Sequence, residues 1–301
     1  MSVGGAPFEA RSARTSRSGL GGVPARVGVL GGGRMGAGIA HAFVLAGAQV
    51  TVVERDADAA AGARERVEQA IDGSLARGLD ADRAALVAAL TTATDASAFA
   101  GCGLVIEAVP EDPALKADAL ARAEAAIDDD AVLATNTSSI GIASLAQPLA
   151  RPHRFIGLHF FNPVPASRLV EVVVGDATDA DVVESAQGWV EALGKAAVTV
   201  RDSPGFASSR LGVMLGLEAI RMLEEGVASA ADIDAAMELG YRHPMGPLKT
   251  TDVVGLDVRL GIAEQLEAEL GPRFAPPALL RQMVADGRLG RKSGSGFYDY
   301  D

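Results

Sequence analysis

The chain has 301 residues, of which 49% are hydrophobic, and this length and composition predict a packed protein of about two domains. Its formal net charge of −12 excludes a nucleic-acid partner, because phosphate binding requires a basic surface. The single cysteine, Cys102, excludes an internal disulfide and a cysteine metal cluster, and it predicts a reducing, cytoplasmic setting. No apolar run approaches the roughly 20 residues of a membrane span, so we expect no membrane partner.

Residues 1–25 differ in composition from the rest of the chain. They are rich in Gly, Ala, Ser and Arg, contain almost no acids and show no hydrophobic period. Such a segment cannot bury enough apolar surface to pack, so we expect a disordered N-terminal tail. An organelle transit peptide is the alternative, but the segment lacks the amphipathic face of one.

From residue 26 the pattern changes to a strand, a turn, a helix and a second strand. Residues 27–30 form a short apolar run, residues 31–36 read GGGRMG, and residues 39–46 have helical character. A second apolar run over residues 50–53 ends at an acid, Glu54. This order predicts a βαβ unit of the dinucleotide-binding type, in which the helix N-terminus supplies an anion site.

The glycines of this turn have the spacing of the dinucleotide fingerprint. Gly31 permits the tight turn, Gly33 lets the backbone approach a pyrophosphate, and Gly36 lets the helix pack on the strand. The predicted cofactor contacts in the turn are Gly31, Gly33, Arg34, Met35 and Gly36. The carboxylate of Glu54 suits the ribose hydroxyls of NAD and repels the additional phosphate of NADP, so NAD is the predicted cofactor.

Three further strands, near residues 104–109, 131–134 and 155–159, alternate with helical stretches and predict a mostly parallel sheet. Ligands of such sheets bind beyond the carboxyl ends of the strands. Three polar sets occupy those ends: Glu111 with Lys116, the run 136–139 and the run 159–162. We therefore predict that they form one site, although each alone also suits a helix cap or a solvated ion pair.

Two titratable residues lie inside apolar, strand-like runs, His159 in residues 157–165 and Glu171 in residues 169–173. On adjacent strands, the carboxylate would orient the imidazole and stabilise its protonated form, as a general base for an alcohol requires. The remaining histidines show no paired spacing, so no metal site is predicted.

After residue 202 the pattern is helical to the end of the chain. Ser203 and Pro204 predict the start of a helix there, Gly226 predicts its end, and residues 229–232 resemble a capping box. The fold class predicted is α/β, with an N-terminal Rossmann domain over residues 26–202 and an all-α domain over residues 203–301. A helical half this rich in Leu, Val and Met predicts a homodimer, the alternative being a monomer whose helices pack only on one another.

Together these motifs resemble the L-3-hydroxyacyl-CoA dehydrogenases, in the short single-function form typified by 3-hydroxybutyryl-CoA dehydrogenase. The matching segments, in family order, are 31–36, 107–111, 136–139, 157–163, 169–173, 202–206, 245–248 and 290–298. The resemblance implies NAD-dependent oxidation of (S)-3-hydroxyacyl-CoA, and the reverse, in a cleft between the two domains. It implies that His159 is the base, that Glu171 orients it and that Ser138 contacts substrate and cofactor. The other implied NAD contacts are Glu111, Lys116, Asn162 and Lys292.

The chain departs from the family pattern at two places. Ser209 stands where the family usually has an asparagine in the catalytic site, and a hydroxyl is shorter and has one donor instead of two. The lysine that contacts CoA is not evident, with Arg77 or Arg83 as candidate replacements. Two other functions stay open: a dehydrogenase of a free hydroxy acid or a sugar acid such as L-gulonate, and a non-catalytic NAD-binding protein like the lens crystallins of this family.

Overall fold

The computed structural model describes residues 22–300, so the tail predicted over residues 1–25 lies mostly outside the described residues. From Arg26 the chain builds one eight-stranded sheet and then a helical half. The strands are β1 (Arg26–Leu30), β2 (Gln49–Val53), β3 (Leu90–Ala93), β4 (Leu104–Glu107), β5 (Val132–Thr135), β6 (Phe155–Phe160), β7 (Leu169–Val174) and β8 (Ala196–Arg201).

Within residues 22–300, six α-helices connect the strands, and five more follow the sheet. The first six are α1 (Arg34–Leu45), α2 (Ala57–Ala76), α3 (Arg83–Ala88), α4 (Pro113–Glu124), α5 (Ile142–Ala146) and α6 (Ala180–Ala192). The helical half consists of α7 (Ser208–Glu224), α8 (Ala230–Gly240), α9 (Pro247–Val254), α10 (Leu256–Leu270) and α11 (Ala278–Ala285). In the described part of the chain, none of these helices is both long and apolar enough to cross a bilayer.

The strand order across the sheet is β3-β2-β1-β4-β5-β6-β7-β8. Strands β1 to β6 pair in parallel in the doubly wound order of dinucleotide-binding folds, and the order reverses direction between β1 and β4. The predicted α/β class with a mostly parallel sheet is confirmed. The exception is the antiparallel pairing of β6 with β7, after which β8 pairs in parallel with β7.

Both faces of the sheet are covered, which explains why its strands are apolar runs instead of alternating ones. Helices α1, α2 and α6 pack on one face, where Ile39, Phe43 and Ile71 are fully buried. Helices α4 and α5 pack on the other face, around Leu120 and Phe155. A third apolar cluster joins helices α7 to α11, so the helical half has a core of its own.

The start of the helical half differs from the sequence prediction. Residues 203–207 form a turn, and α7 begins at Ser208 instead of at Pro204. The cause is a backbone reversal at Gly205 and Phe206, whose φ angles are +72° and +49° and therefore cannot belong to a right-handed helix. The predicted end of α7 at Gly226 and the cap at Ser229 are confirmed, since Gly226 has φ +71° and the Ser229 hydroxyl accepts from the Asp232 N–H.

Candidate active site

The antiparallel pairing of β6 and β7 brings His159 and Glu171 directly opposite each other. Side chains at opposite positions of an antiparallel pair point to the same face of the sheet. The Nδ1 atom of His159 donates to Oε2 of Glu171 at 2.8 Å, and the two residues are only 6% and 1% exposed. The pairing expected from the two strand-like runs is therefore present, and it is shielded from bulk water.

Glu171 is held by the start of α7 as well as by the imidazole. The N–H groups of Ala207 and Ser208 donate to its Oε1 at 3.1 and 2.8 Å, and the Ser208 hydroxyl donates to its Oε2 at 2.7 Å. Burial alone raises the pKa of this carboxyl, but the hydrogen bonds from His159 and Ser208 outweigh burial and hold the pKa below its ordinary value. The carboxylate therefore stays ionised beside the imidazole.

Sequence reasoning missed Ser208, because it treated the position only as a neighbour of Ser209. No hydrogen bond of the Ser209 side chain is present among residues 22–300, where its neighbour Ser208 donates to Glu171. The signal that existed was the double serine after the Pro-Gly-Phe turn.

Aromatic rings and an amide complete the surroundings of the imidazole. The rings of Phe161 and Phe206 lie 4.4 and 5.8 Å from the His159 ring, measured between centroids. Oδ1 of Asn136, at the end of β5, accepts from the Phe160 N–H at 2.8 Å and ties this strand end to the next. The apolar rings lower the local dielectric, which strengthens the interaction between imidazole and carboxylate.

The hydroxyl-rich run after β5 surrounds the carboxylate of Glu111. Its Oε1 accepts from the Thr137 hydroxyl at 2.5 Å and from the N–H groups of Ser138 and Ser139 at 2.9 and 3.2 Å. Burial raises the pKa of Glu111, but Lys116 and these donors reverse the effect and lower it. Two of the polar sets predicted to converge are therefore in direct contact, and Ser138 is half-buried among them.

Lys116 is 1% exposed, and its ammonium group is surrounded by three oxygen acceptors. Nζ lies 2.8 Å from Oε1 of Glu107, 3.1 Å from Oε2 of Glu111 and 3.2 Å from the carbonyl oxygen of Val109. These contacts use the donors of the ammonium group, so its visible role is to hold Glu111 in place. Sequence reasoning missed Glu107, a fully buried carboxyl at the end of β4 whose pKa burial raises.

The glycine turn after β1 has the features that the fingerprint predicts. A Cβ at Gly36 would lie 1.8 Å from the Gly31 carbonyl oxygen, whereas a Cβ at Gly33 would meet nothing within 4 Å. Gly33 and Arg34 are exposed at the start of α1, and Met35 is half-buried. Glu54, at the end of β2, accepts from the Gly32 N–H at 2.7 Å. The turn, the helix start and the acid thus lie together at one sheet edge.

Two predicted NAD contacts stand apart from these groups. Asn162 is exposed and lines a cavity of about 330 Å³ with Arg34, Arg66 and Val164. Lys292 belongs to the C-terminal segment, and its Nζ pairs with Oδ2 of Asp257 on α10 at 2.6 Å. Within residues 22–300, neither side chain makes a hydrogen bond or an ion pair with His159 or Glu171.

The two candidate CoA contacts have different surroundings. Arg83 is tied to both carboxylate oxygens of Asp72, at 2.6 and 3.1 Å. Arg77 lines a cavity of about 450 Å³, where it donates to the Ser74 hydroxyl and has no carboxylate partner within residues 22–300. Since Pro165 lines this cavity and also the smaller one beside Asn162, the two cavities are neighbours.

Family models match both halves of the chain. The model described as 3-hydroxyacyl-CoA dehydrogenase, NAD binding domain, matches residues 26–203, and the one described as 3-hydroxyacyl-CoA dehydrogenase, C-terminal domain, matches residues 205–300. The chain belongs to the 3-hydroxyacyl-CoA dehydrogenase family. The recognition of that family from the sequence motifs is thereby confirmed.

Relatives within the family are similar over nearly the whole chain. A 3-hydroxybutyryl-CoA dehydrogenase of Mycobacterium tuberculosis is 42% identical over 280 residues, which cover 91% of this chain and 98% of the relative. The mitochondrial hydroxyacyl-coenzyme A dehydrogenase of Homo sapiens is 38% identical, with 90% of each chain covered. The crystal structure of (S)-3-hydroxybutyryl-CoA dehydrogenase PaaH1 from Ralstonia eutropha matches with a TM-score of 0.89 at 38% identity. The match covers 92% of this chain and 99% of that chain.

The residues present fit NAD, the cofactor of this dehydrogenase family. The space above Gly33 leaves room for a pyrophosphate at the N-terminus of α1, and the Glu54 carboxylate stands at the end of β2 where a ribose would lie. Among the described residues, no group of three His, Cys, Asp or Glu side chains has an arrangement that would hold a metal ion.

Proposed function

We propose that this protein oxidises (S)-3-hydroxyacyl-CoA to 3-oxoacyl-CoA with NAD, and catalyses the reverse, with short-chain substrates such as 3-hydroxybutyryl-CoA. The observation that carries the proposal is the buried contact between His159 and Glu171 beside the hydroxyl-rich run after β5. The names of the relatives supply the substrate class. The same chemistry suits fatty-acid β-oxidation.

In the proposed mechanism, His159 removes the proton of the substrate's 3-hydroxyl. Its Nδ1 is committed to Glu171, so Nε2 is the nitrogen that takes the proton. NAD, when bound, accepts the hydride from the carbon that bears this hydroxyl. Glu171 stabilises the imidazolium that forms, and in reduction the imidazolium returns the proton to the oxygen. The Ser138 hydroxyl stabilises the alkoxide character that develops as the hydride leaves.

The proposed cofactor contacts are those of the glycine turn and a second set elsewhere in the chain. The turn contacts are Gly31, Gly33, Arg34, Met35 and Gly36, and the others are Glu54, Glu111, Ser138, Asn162 and Lys292. Lys116 acts through Glu111, because its ammonium group lies buried against that carboxylate and against Glu107. We assign Ser209 no contact, although it stands at the position of the family asparagine.

CoA is anionic and the chain as a whole is acidic, so the CoA phosphates require positively charged side chains close to them. The two neighbouring cavities along α2 are lined by Arg34, Arg66 and Arg77. Of the two candidates, we propose Arg77 as the phosphate contact, because Arg83 already pairs with Asp72.

We also propose that residues 26–202 bind NAD and that the helical half forms a homodimer in the cytoplasm. Leu211, Leu239 and Tyr241 are 71%, 83% and 75% exposed, which is unusual for large apolar side chains. A second copy would cover these apolar side chains. Light scattering tests this, with a monomer as the contrary result.

The experiment that tests the proposed activity follows NADH formation on a panel of substrates. The panel contains (S)-3-hydroxyacyl-CoAs of increasing chain length together with free hydroxy acids and L-gulonate. We expect turnover of the short thioesters and loss of turnover in His159→Ala. Turnover of free acids alone, or NADH binding without turnover of any substrate, would overturn the proposal.

A further inference from the structure

Glu171 accepts four hydrogen bonds, and three of them come from outside the catalytic pair. Its Oε2 is shared between Nδ1 of His159 at 2.8 Å and the hydroxyl of Ser208 at 2.7 Å. Its Oε1 accepts from the N–H groups of Ala207 and Ser208. The oxygen that orients the imidazole is therefore the same oxygen that the Ser208 hydroxyl holds.

The turn before α7 explains how Ser208 reaches a strand in the other half of the molecule. The reversal at Gly205 and Phe206 ends with two N–H groups that face β7. The first N–H groups of a helix have no intrahelical acceptor, so the Glu171 carboxylate satisfies them and is itself stabilised by the positive helix end. The buried ring of Phe206, 3% exposed, holds this turn in place.

The Ser208 hydroxyl is not needed to cap its own helix. The N-cap of α7 is Ala207, whose side chain forms no capping hydrogen bond. Within residues 22–300, the Ser208 hydroxyl donates only to Glu171. Alanine or valine at this position would leave both backbone N–H groups of the turn in place. The hydroxyl therefore acts on the carboxylate separately from the helix.

We propose that Ser208 is a positioning residue of the active site, which sets how strongly Glu171 holds the His159 imidazole by donating to the same carboxylate oxygen. The inference rests on the proposed function, because it concerns the base of that reaction. At the turn where Ser209 replaces the family asparagine, the preceding residue, Ser208, therefore supplies a polar contact. The Ser208 hydroxyl and the imidazole N–H compete for the negative charge of Oε2. Removal of the hydroxyl therefore strengthens the hydrogen bond between Glu171 and the protonated imidazole.

The surroundings of the pair contain no other ionic contact that would mask this effect. Within the described residues, the one ion pair that includes either side chain is the one between them. Strand β6 and its continuation place the Phe161 ring against the imidazole, and the α7 turn places Phe206 there. Asn136, from the end of β5, binds the backbone of Phe160.

The test compares Ser208→Thr with Ser208→Val, two variants of nearly equal shape that differ in the hydroxyl. Ser208→Ala is the third variant, and Ser209→Ala is the matched control from the same helical turn. The first readout is the NMR titration of the His159 ring, which is tractable because the chain has four histidines. The second is the pH profile of kcat/KM for oxidation of (S)-3-hydroxybutyryl-CoA.

We expect Ser208→Val and Ser208→Ala to move the midpoint of the His159 titration upward by about 0.5 to 1 pH unit. The acidic limb of the kcat/KM profile should move with it, while Ser208→Thr and Ser209→Ala stay at the wild-type position. A midpoint unchanged in both Val and Ala variants, or an equal shift in Ser209→Ala or Ser208→Thr, would overturn the proposal. Because the NMR titration needs no substrate, it tests the role of Ser208 even if the wild-type protein shows no turnover and the proposed function fails.

Discussion

His159 and Glu171 are direct partners in the register of β6 and β7, the one antiparallel pair of the described sheet. The reversal of direction between these strands is what places the two side chains opposite each other. Because successive side chains of a strand alternate between faces, a slip of one residue would move Glu171 to the opposite face. The carboxylate is fixed further by the start of α7, so the pair depends on both halves of the chain.

The glycine turn offers two substitutions with opposite expected results. Gly33→Ala should leave the melting temperature unchanged, because φ at Gly33 is −62° and its Cβ would meet nothing within 4 Å. It should weaken NADH binding by at least about tenfold, since the methyl group would occupy the space for the pyrophosphate. Gly36→Ala should destabilise the fold, because its Cβ would lie 1.8 Å from the Gly31 carbonyl oxygen.

Thermal unfolding and fluorescence titration with NADH check both variants. Equal NADH affinity in Gly33→Ala and wild type would show that the cofactor does not approach this turn.

Glu54 should set the preference for NAD over NADP. The carboxylate lies half-buried at the end of β2, where a 2′-phosphate would meet its charge. Glu54→Ala is expected to weaken NADH binding about tenfold and to reduce the difference in affinity between NADH and NADPH. Titration of both dinucleotides measures this, with Arg55→Ala as the neighbouring control. A wild-type protein that binds NADH and NADPH with equal affinity would contradict this role of Glu54.

The lowered pKa of Glu171 makes a prediction about acid stability. Because the folded-state pKa lies below the unfolded value of about 4.3, the carboxylate stabilises the fold above that value. The contribution is lost as the pH falls through the folded-state pKa. The difference in free energy of unfolding between wild type and Glu171→Gln should therefore shrink as the pH is lowered from about 5 to about 3. Urea titrations across this range measure it, and a difference that does not change with pH would contradict the assignment.

Arg77 and Arg83 form a matched pair for the CoA site. Arg77→Ala should raise KM for the CoA thioester by about tenfold, the effect of one charge-assisted hydrogen bond to a phosphate, with KM for NAD unchanged. Arg83→Ala should leave both constants near wild type, since its guanidinium serves Asp72 and Glu68. Steady-state kinetics with each substrate varied separately distinguish the two. A larger effect of Arg83→Ala would reverse our assignment.

The elements with strong local patterns were predictable from the sequence. The first βαβ unit, the apolar strands β4 to β7 and the acid Glu54 at a strand end follow from periodicity and glycine spacing. Strands β3 and β8 were missed because β3 is the short run LTTA and because β8, which reads AAVTVR, is a half-exposed strand at the edge of the sheet. Local signals of that kind do not distinguish an edge strand from a loop.

The contacts that complete the site depend on tertiary structure, which explains why sequence reasoning did not find them. The sequence pattern shows Glu107 only as part of an apolar strand, whereas in the fold its carboxylate accepts a hydrogen bond from Lys116 on α4. The start of α7 was placed at Pro204 because proline favours the first helical position, whereas the positive φ at Phe206 delays the helix to Ser208. That delay puts the Ser208 hydroxyl on Glu171, and no spacing rule predicts it.

The most direct test of the central claim is the rate of NADH formation from (S)-3-hydroxybutyryl-CoA by wild type and by His159→Ala. We expect wild-type turnover, and a loss of about 10² to 10⁴ in kcat for His159→Ala with NADH affinity retained, as removal of a general base predicts. Equal rates for the two proteins would contradict the assignment of His159 as the base.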